Sequence, residues 1–169
     1  MENNMKKKVY IETSIIGHLA TVLTQRQAMA NQRDAREWWS RVRPQCDLYI
    51  SSTVLDELAD GRSEEADKRL GYVDGLRPLH ATEESDRLLT LLVRHKVVPE
   101  DKPADAGHIA IAAICGMEVL LTLNQKHIAN AHQMARMNGL ILSAGYQPPA
   151  IVRPGDFLSE KQLSRLLHG

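Results

Sequence analysis

The chain has 169 residues, 43% hydrophobic and 25% charged, and its 21 basic and 21 acidic side chains cancel to a formal net charge of zero. Those figures suit a soluble globular protein with one domain's worth of core. They exclude a strongly basic nucleic-acid binder, so any nucleic-acid contact must come from a local patch. Cys46 and Cys115 lie far apart with no metal-ligand spacing, which suits a reducing compartment. The apolar stretch between Lys8 and Glu12 is too short for a signal peptide, and no apolar run could span a membrane. A cytoplasmic location is expected.

Val9-Tyr10-Ile11 reads as a first strand, buried on both faces, that delivers Glu12 at its C-terminal end. Open α/β sheets place their ligands at that end. Thr13 or Ser14 can cap the next helix. A short apolar helix pattern follows to about residue 23, then a longer one over 25–43, closed by Pro44. Trp38 and Trp39 are adjacent, so one is expected in the core and the other partly exposed. The arginines of that helix read first as a solvated face.

Residues 47–50 form a second strand, and Thr53 with Asp56 fits a capping box for the helix after it. Glu57 falls on the first turn of that helix, beside its apolar face. Ser63 caps a helix to about residue 73, residues 77–80 are extended, and Thr82 with Ser85 and Asp86 opens a helix to about residue 95. Asp101 is a candidate N-cap ahead of Pro103, and the Ala- and Ile-rich body that follows implies a helix buried nearly all round. Asp105 and His108 share one face of it. A buried carboxylate there needs a partner or a cation.

Residues 118–122 form a third clear strand, ending at Asn124, and 125–137 reads as a helix. Its His127 and His132 do not face each other and offer no metal pair. Gly139, Gly145 and Pro148-Pro149 mark loops, Ile151-Val152 an edge strand, and Ser159 the cap of a final helix. With no repeat or linker, a single domain over 1–169 is expected, its core at about 8–153 and its C-terminal helix at about 159–167.

Several chemistries fail on spacing. There is no glycine-rich phosphate loop, no G-x-S-x-G elbow, and no aspartate nucleophile after the first strand. What remains is Glu12, Glu57 and Asp105, each at the start of a helix at one edge of a parallel sheet. Converging carboxylates suit a hard cation, Mg²⁺ or Mn²⁺, which activates water and neutralises phosphoryl charge.

Tyr10-Ile11-Glu12-Thr13-Ser14, the acid in Val54-Leu55-Asp56-Glu57-Leu58, Asp105-Ala106-Gly107-His108-Ile109-Ala110, and Leu121-Thr122-Leu123-Asn124-Gln125-Lys126-His127-Ile128 resemble, in order, the motifs of PIN-domain ribonucleases. Many of these are VapC-like toxins of bacterial toxin–antitoxin pairs. The resemblance implies a three-layer α/β/α sandwich with a central parallel sheet, an acidic cluster holding Mg²⁺ or Mn²⁺, and cleavage of single-stranded RNA. On that pattern Glu12, Glu57 and Asp105 hold the metal. Asn124, with Thr13 or Ser14, orients water or the scissile phosphate, beside Thr122. His108 is expected to position Asp105, and Arg33 and Arg36 are the candidate RNA contacts.

Three departures stand out. Glu12 replaces the family's usual aspartate, Asn124 replaces an acid, and Gly107 replaces an apolar residue. The first shifts the reach of a ligand, the second removes a charge, and the third carries a helix-propensity cost. An antitoxin partner is implied. A homodimer is expected from the family and from the apolar surface of Trp38, Trp39, Leu163, Leu166 and Leu167. The competing reading is a catalytically weak or inactive PIN-like module that binds RNA or protein, favoured by Asn124 and the neutral charge.

Overall fold

A computed structural model describes residues 6–158. Its strands are β1 (Lys7–Ile11), β2 (Cys46–Ser51), β3 (Pro78–Leu79), β4 (Val119–Leu121) and β5 (Ala150–Val152). They form one five-stranded sheet of order β3-β2-β1-β4-β5, with every neighbouring pair parallel. Parallel neighbours need crossovers, and seven helices among the described residues supply them: α1 (Thr13–Ala20), α2 (Arg26–Arg41), α3 (Ser52–Ala59), α4 (Ser63–Tyr72), α5 (Glu83–Arg94), α6 (Pro103–Ile114) and α7 (Met134–Ser143). The result is the expected α/β/α sandwich. β1 sits at its centre because Val9, Tyr10 and Ile11 are fully buried, as a strand covered on both faces requires. Tyr10 pairs with Tyr49 on one side and Leu120 on the other. The Glu12 N–H then extends the ladder, donating to the Leu121 carbonyl at 3.0 Å. The switch in strand order falls beside β1, so its C-terminal end opens at the crevice where such sheets carry their sites.

Local capping departs from the sequence expectation in several places. Neither Thr13 nor Ser14 caps α1; Glu12 occupies that position without a side-chain cap bond. The cap of α3 is Ser51, whose Oγ accepts from the Val54 N–H at 3.2 Å, so Thr53 lies inside the helix. Arg62 rather than Ser63 precedes α4, and Lys102 rather than Asp101 precedes α6. Thr82 opens α5 as expected, and it does so through a capping box with Ser85.

Residues 125–133 are not helical. There Asn124 Oδ1 accepts from the His127 N–H at 3.1 Å and Asn130 Oδ1 from the His132 N–H at 3.0 Å. Such side-chain bonds outcompete the helix ladder. α7 instead runs through Gly139, whose missing Cβ would point into open space, and it is anchored by buried Met137 and Ile141.

Trp38 is fully buried, edge-on to Phe157 with ring centroids 5.8 Å apart. Trp39 is half-buried between Tyr72 and Arg43. Leu163, Leu166, Leu167 and the expected C-terminal helix lie outside the described residues. A helical turn over 154–158 packs back on α2. A Cβ on Gly155 would stand 2.8 Å from Asp34 Oδ2. Gly155→Ala is therefore expected to lower stability by about 1 kcal/mol, the low end for overpacking because Asp34 can swing aside. Urea unfolding of the two proteins checks this. No helix among the described residues is long and apolar enough to cross a membrane.

Candidate active site

Glu12 arrives at the sheet edge on the end of β1, and it is 4% exposed. A carboxylate that deep needs donors. Ser14, in the first turn of α1, gives its hydroxyl proton to Glu12 Oε2. Thr122, just past β4, donates to the same oxygen at 2.7 Å. Ser14 Oγ also accepts from the Leu123 N–H at 2.9 Å, which ties the start of α1 to the loop after β4.

Glu57, on α3, is held in a similar way. Thr13 donates to its Oε1 at 3.0 Å and His108 Nε2 donates to the same oxygen at 2.7 Å. The donors described for each glutamate thus meet on one oxygen. Among the described residues none is aimed at Glu12 Oε1 or Glu57 Oε2.

His108 is fully buried in the wall of α6, with its Nδ1 2.7 Å from the Tyr10 hydroxyl, itself 2.7 Å from Ser51 Oγ. A carboxylate accepts and cannot donate, so His108 Nε2 carries a proton. Burial alone would discharge the ring. The Glu57 hydrogen bond and the charges of Glu12, Glu57 and Asp105 outweigh it and raise the His108 pKa above its usual 6.5. Burial likewise pushes Glu57 up, but the His108 and Thr13 bonds and the imidazolium charge hold it below the usual 4.5. Burial is also the largest effect on Tyr10, whose hydroxyl keeps its proton well past the usual range. With His108 charged, Nδ1–H donates to Tyr10 and Tyr10 donates to Ser51.

Asp105 has a separate pair of partners. His127 Nδ1 donates to Oδ2 at 2.9 Å and Asn124 Nδ2 to Oδ1 at 3.2 Å. Because the His127 N–H needs an acceptor in Asn124 Oδ1, the amide orientation follows. Asn124 N–H donates to Thr122 Oγ1 at 3.0 Å, joining this group to Glu12.

Glu12, Glu57, Asp105 and Asn124 therefore lie at one edge, each with its own partners: Ser14 and Thr122 at Glu12, Thr13 and His108 at Glu57, and Asn124 at Asp105. His108 serves Glu57, not Asp105 as its helical spacing suggested; the ring turns toward α3, and Asp105 turns toward the loop after β4. Arg33 and Arg36 are exposed on α2 and have no described contact with the acids. Three participants were missed: His127, Tyr10 and Ser51. In kind, carboxylate oxygens and an amide suit a hard divalent cation. Among the described residues, however, no three His, Cys, Asp or Glu side chains are grouped to chelate one ion.

A central parallel sheet between helices, with acids gathered at its C-terminal edge, defines a PIN-like fold. Among solved structures, the chain is similar to one in the crystal structure of VapBC2 from Rickettsia felis bound to a DNA fragment from their promoter. The TM-score is 0.56 at 13% identity, covering 86% of this chain and 98% of that one. At that identity the likeness speaks for the fold. No protein-family model matches the chain, and no curated protein does.

Proposed function

We propose that the chain is a cytoplasmic, Mg²⁺- or Mn²⁺-dependent endoribonuclease of PIN type, a homodimeric toxin with an antitoxin partner, cleaving single-stranded RNA. The observation that carries this reading is the shared tethering of Glu12 and Glu57. Each is fixed through one oxygen by two donors, and each leaves its other oxygen for a ligand. Glu12, Glu57 and Asp105 would hold the ion. When bound, a divalent cation supplies an activated water and neutralises charge on the phosphodiester.

The chain's own residues then have separable duties. Ser14 and Thr122 fix Glu12. Thr13 and His108 fix Glu57. His127 and Asn124 hold Asp105, and their bonds must loosen for it to share in an ion. The Rickettsia felis neighbour was solved as VapBC2, which supports an antitoxin for this chain. The test is cleavage of single-stranded RNA with and without Mn²⁺, beside the Asp105 variant argued in the Discussion. The engagement of Asp105 by His127 favours a second reading, a metal-poor binding module. That reading stands if RNA binds while Mn²⁺ neither binds nor promotes cleavage.

Asn124→Asp is expected to tighten Mn²⁺ binding and to destabilise the metal-free protein. Its amide now donates to Asp105 across 3.2 Å. A carboxylate there turns an attraction into a repulsion of up to a few kcal/mol at an effective dielectric near 20, before solvent screening. A bound cation relieves it. Calorimetric Mn²⁺ titration and thermal melts with and without chelator check both halves. Equal Mn²⁺ affinities in folded protein would exclude Asn124 from the cation's surroundings.

A further inference from the structure

A cavity of about 260 Å³ lies among α3, α5 and α6. Leu89, Ala104, Gly107 and Ile111 give it apolar walls, and Thr53 and Asp86 give it polar ones. Gly107 forms part of that lining. That residue lies in the buried run of α6 from Ala106 to Ala113, where a larger side chain would add helix propensity and packing. A Cβ built there meets Leu89 Cδ1 at 3.6 Å, an ordinary contact, so alanine would fit without a clash.

Two helical relations tie the cavity to the acids. Glu57 and His108 touch at 2.7 Å. Thr53 lies four residues before Glu57 on α3, and Ala104 four before His108 on α6. Each is on the same face as its partner, about 6 Å back along its helix. The cavity therefore begins one helical turn from that contact.

We propose that it is a nucleobase subsite for the RNA strand whose phosphate lies at the acids, an inference that rests on the nuclease reading. Its volume is below the roughly 300 Å³ at which pockets for drug-sized ligands begin, so it suits one ring system. Apolar walls suit the faces of a base, and the absent Cβ at Gly107 lets a ring lie close to the helix. The Asp86 carboxylate can only accept when ionised. It matches the exocyclic amino groups of adenine, cytosine and guanine. Uracil has no such group.

The test titrates the metal-free full chain with adenosine, cytidine, guanosine and uridine, following backbone amides by NMR. Nucleosides avoid repulsion between a phosphate and the acids. Shifts centred on Gly107, Thr53 and Leu89 are expected, weakest with uridine. Gly107→Leu should weaken binding at least tenfold. Gly107→Ala, whose added Cβ fits without a clash, should fold readily and lie between. Asp86→Asn should erase the preference over uridine. In Mn²⁺-dependent cleavage, Gly107→Leu should raise KM for RNA and leave kcat and Mn²⁺ affinity unchanged. Absence of shifts at Gly107 with all four nucleosides overturns the subsite, as does wild-type binding by folded Gly107→Ala and Gly107→Leu. Nucleoside binding at Gly107 without RNA cleavage keeps the base site and sinks the nuclease. Cleavage with an unchanged KM in the Gly107 variants does the reverse.

Discussion

Asp105→Asn is expected to lower Mn²⁺-dependent cleavage of single-stranded RNA by at least about 100-fold while the protein stays folded. The lower bound is the upper end of what losing a ligand's supporting partner costs at metal sites; loss of a ligand's charge should cost no less. The fold should survive because the local hydrogen bonds have substitutes. An asparagine oxygen still accepts from Asn124 Nδ2, now 3.2 Å from Oδ1, and His127 can change tautomer to face an amide. Both Asp105 and His127 side chains are 15% exposed, so water reaches whatever is left unpaired. The stability cost should be about 1 kcal/mol, typical of a single substitution. Cleavage assays with Asp105→Asn, Glu12→Gln and Glu57→Gln, each checked by circular dichroism, make the measurement. If Asp105→Asn unfolds the chain and Glu12→Gln still cleaves, the acids are structural and the nuclease proposal falls.

The parts of this site that could be read in the sequence are those with a periodic signal. Val9-Tyr10-Ile11 had to be a buried central strand, and Glu12 followed from its end. Asp105 stood out as a charge on an otherwise apolar helix. Trp38 and Trp39 divided between core and surface as adjacency requires. The misses are residues whose partners come from elsewhere in the fold. Helical spacing offered His108 to Asp105, but a buried ring with two nitrogens takes whichever partners the neighbouring elements present. Those are Glu57 of α3 and Tyr10 of β1. Tyr10 looked like one more β-former. The usable signal was its hydroxyl, because a tyrosine in a strand covered on both faces must find a hydrogen-bond partner. An expected helix over 125–137 hides His127, because on a helix its five-residue spacing from His132 gives it no partner. Asn124 at the end of β4, able to bond the backbone three residues on, signalled a turn that swings His127 back to the sheet edge. The capping errors differ in kind: at α3 one of three adjacent hydroxyl residues, Ser51, takes the position, whereas α4 and α6 begin with no side-chain cap bond at all.

Replacing His108 with glutamine should cost stability in a way that depends on pH, and the dependence identifies the ion pair. The folded-state pKa of His108 lies above its usual 6.5, so its contribution is fully present below pH 6.5 and is lost as pH rises through the folded value. Glu57 lies below its usual 4.5, so its contribution is present above pH 4.5 and is lost as pH falls through its folded value. The pair therefore stabilises most between pH 4.5 and 6.5, and the difference between wild type and His108→Gln should be largest there. Its pH-dependent part should be about 1.5 kcal/mol, the low end for a hydrogen bond to a charged group, because the Glu57 side chain is 37% exposed and solvent screens it. A second cost, independent of pH, comes from Tyr10, whose hydroxyl loses the ring nitrogen at 2.7 Å and keeps only Ser51. Denaturant unfolding of both proteins in chelator, from pH 4 to 9, separates the two parts. A gap that widens toward pH 9 would mean that a neutral His108 holds Glu57, and a flat gap that the ring is packing alone.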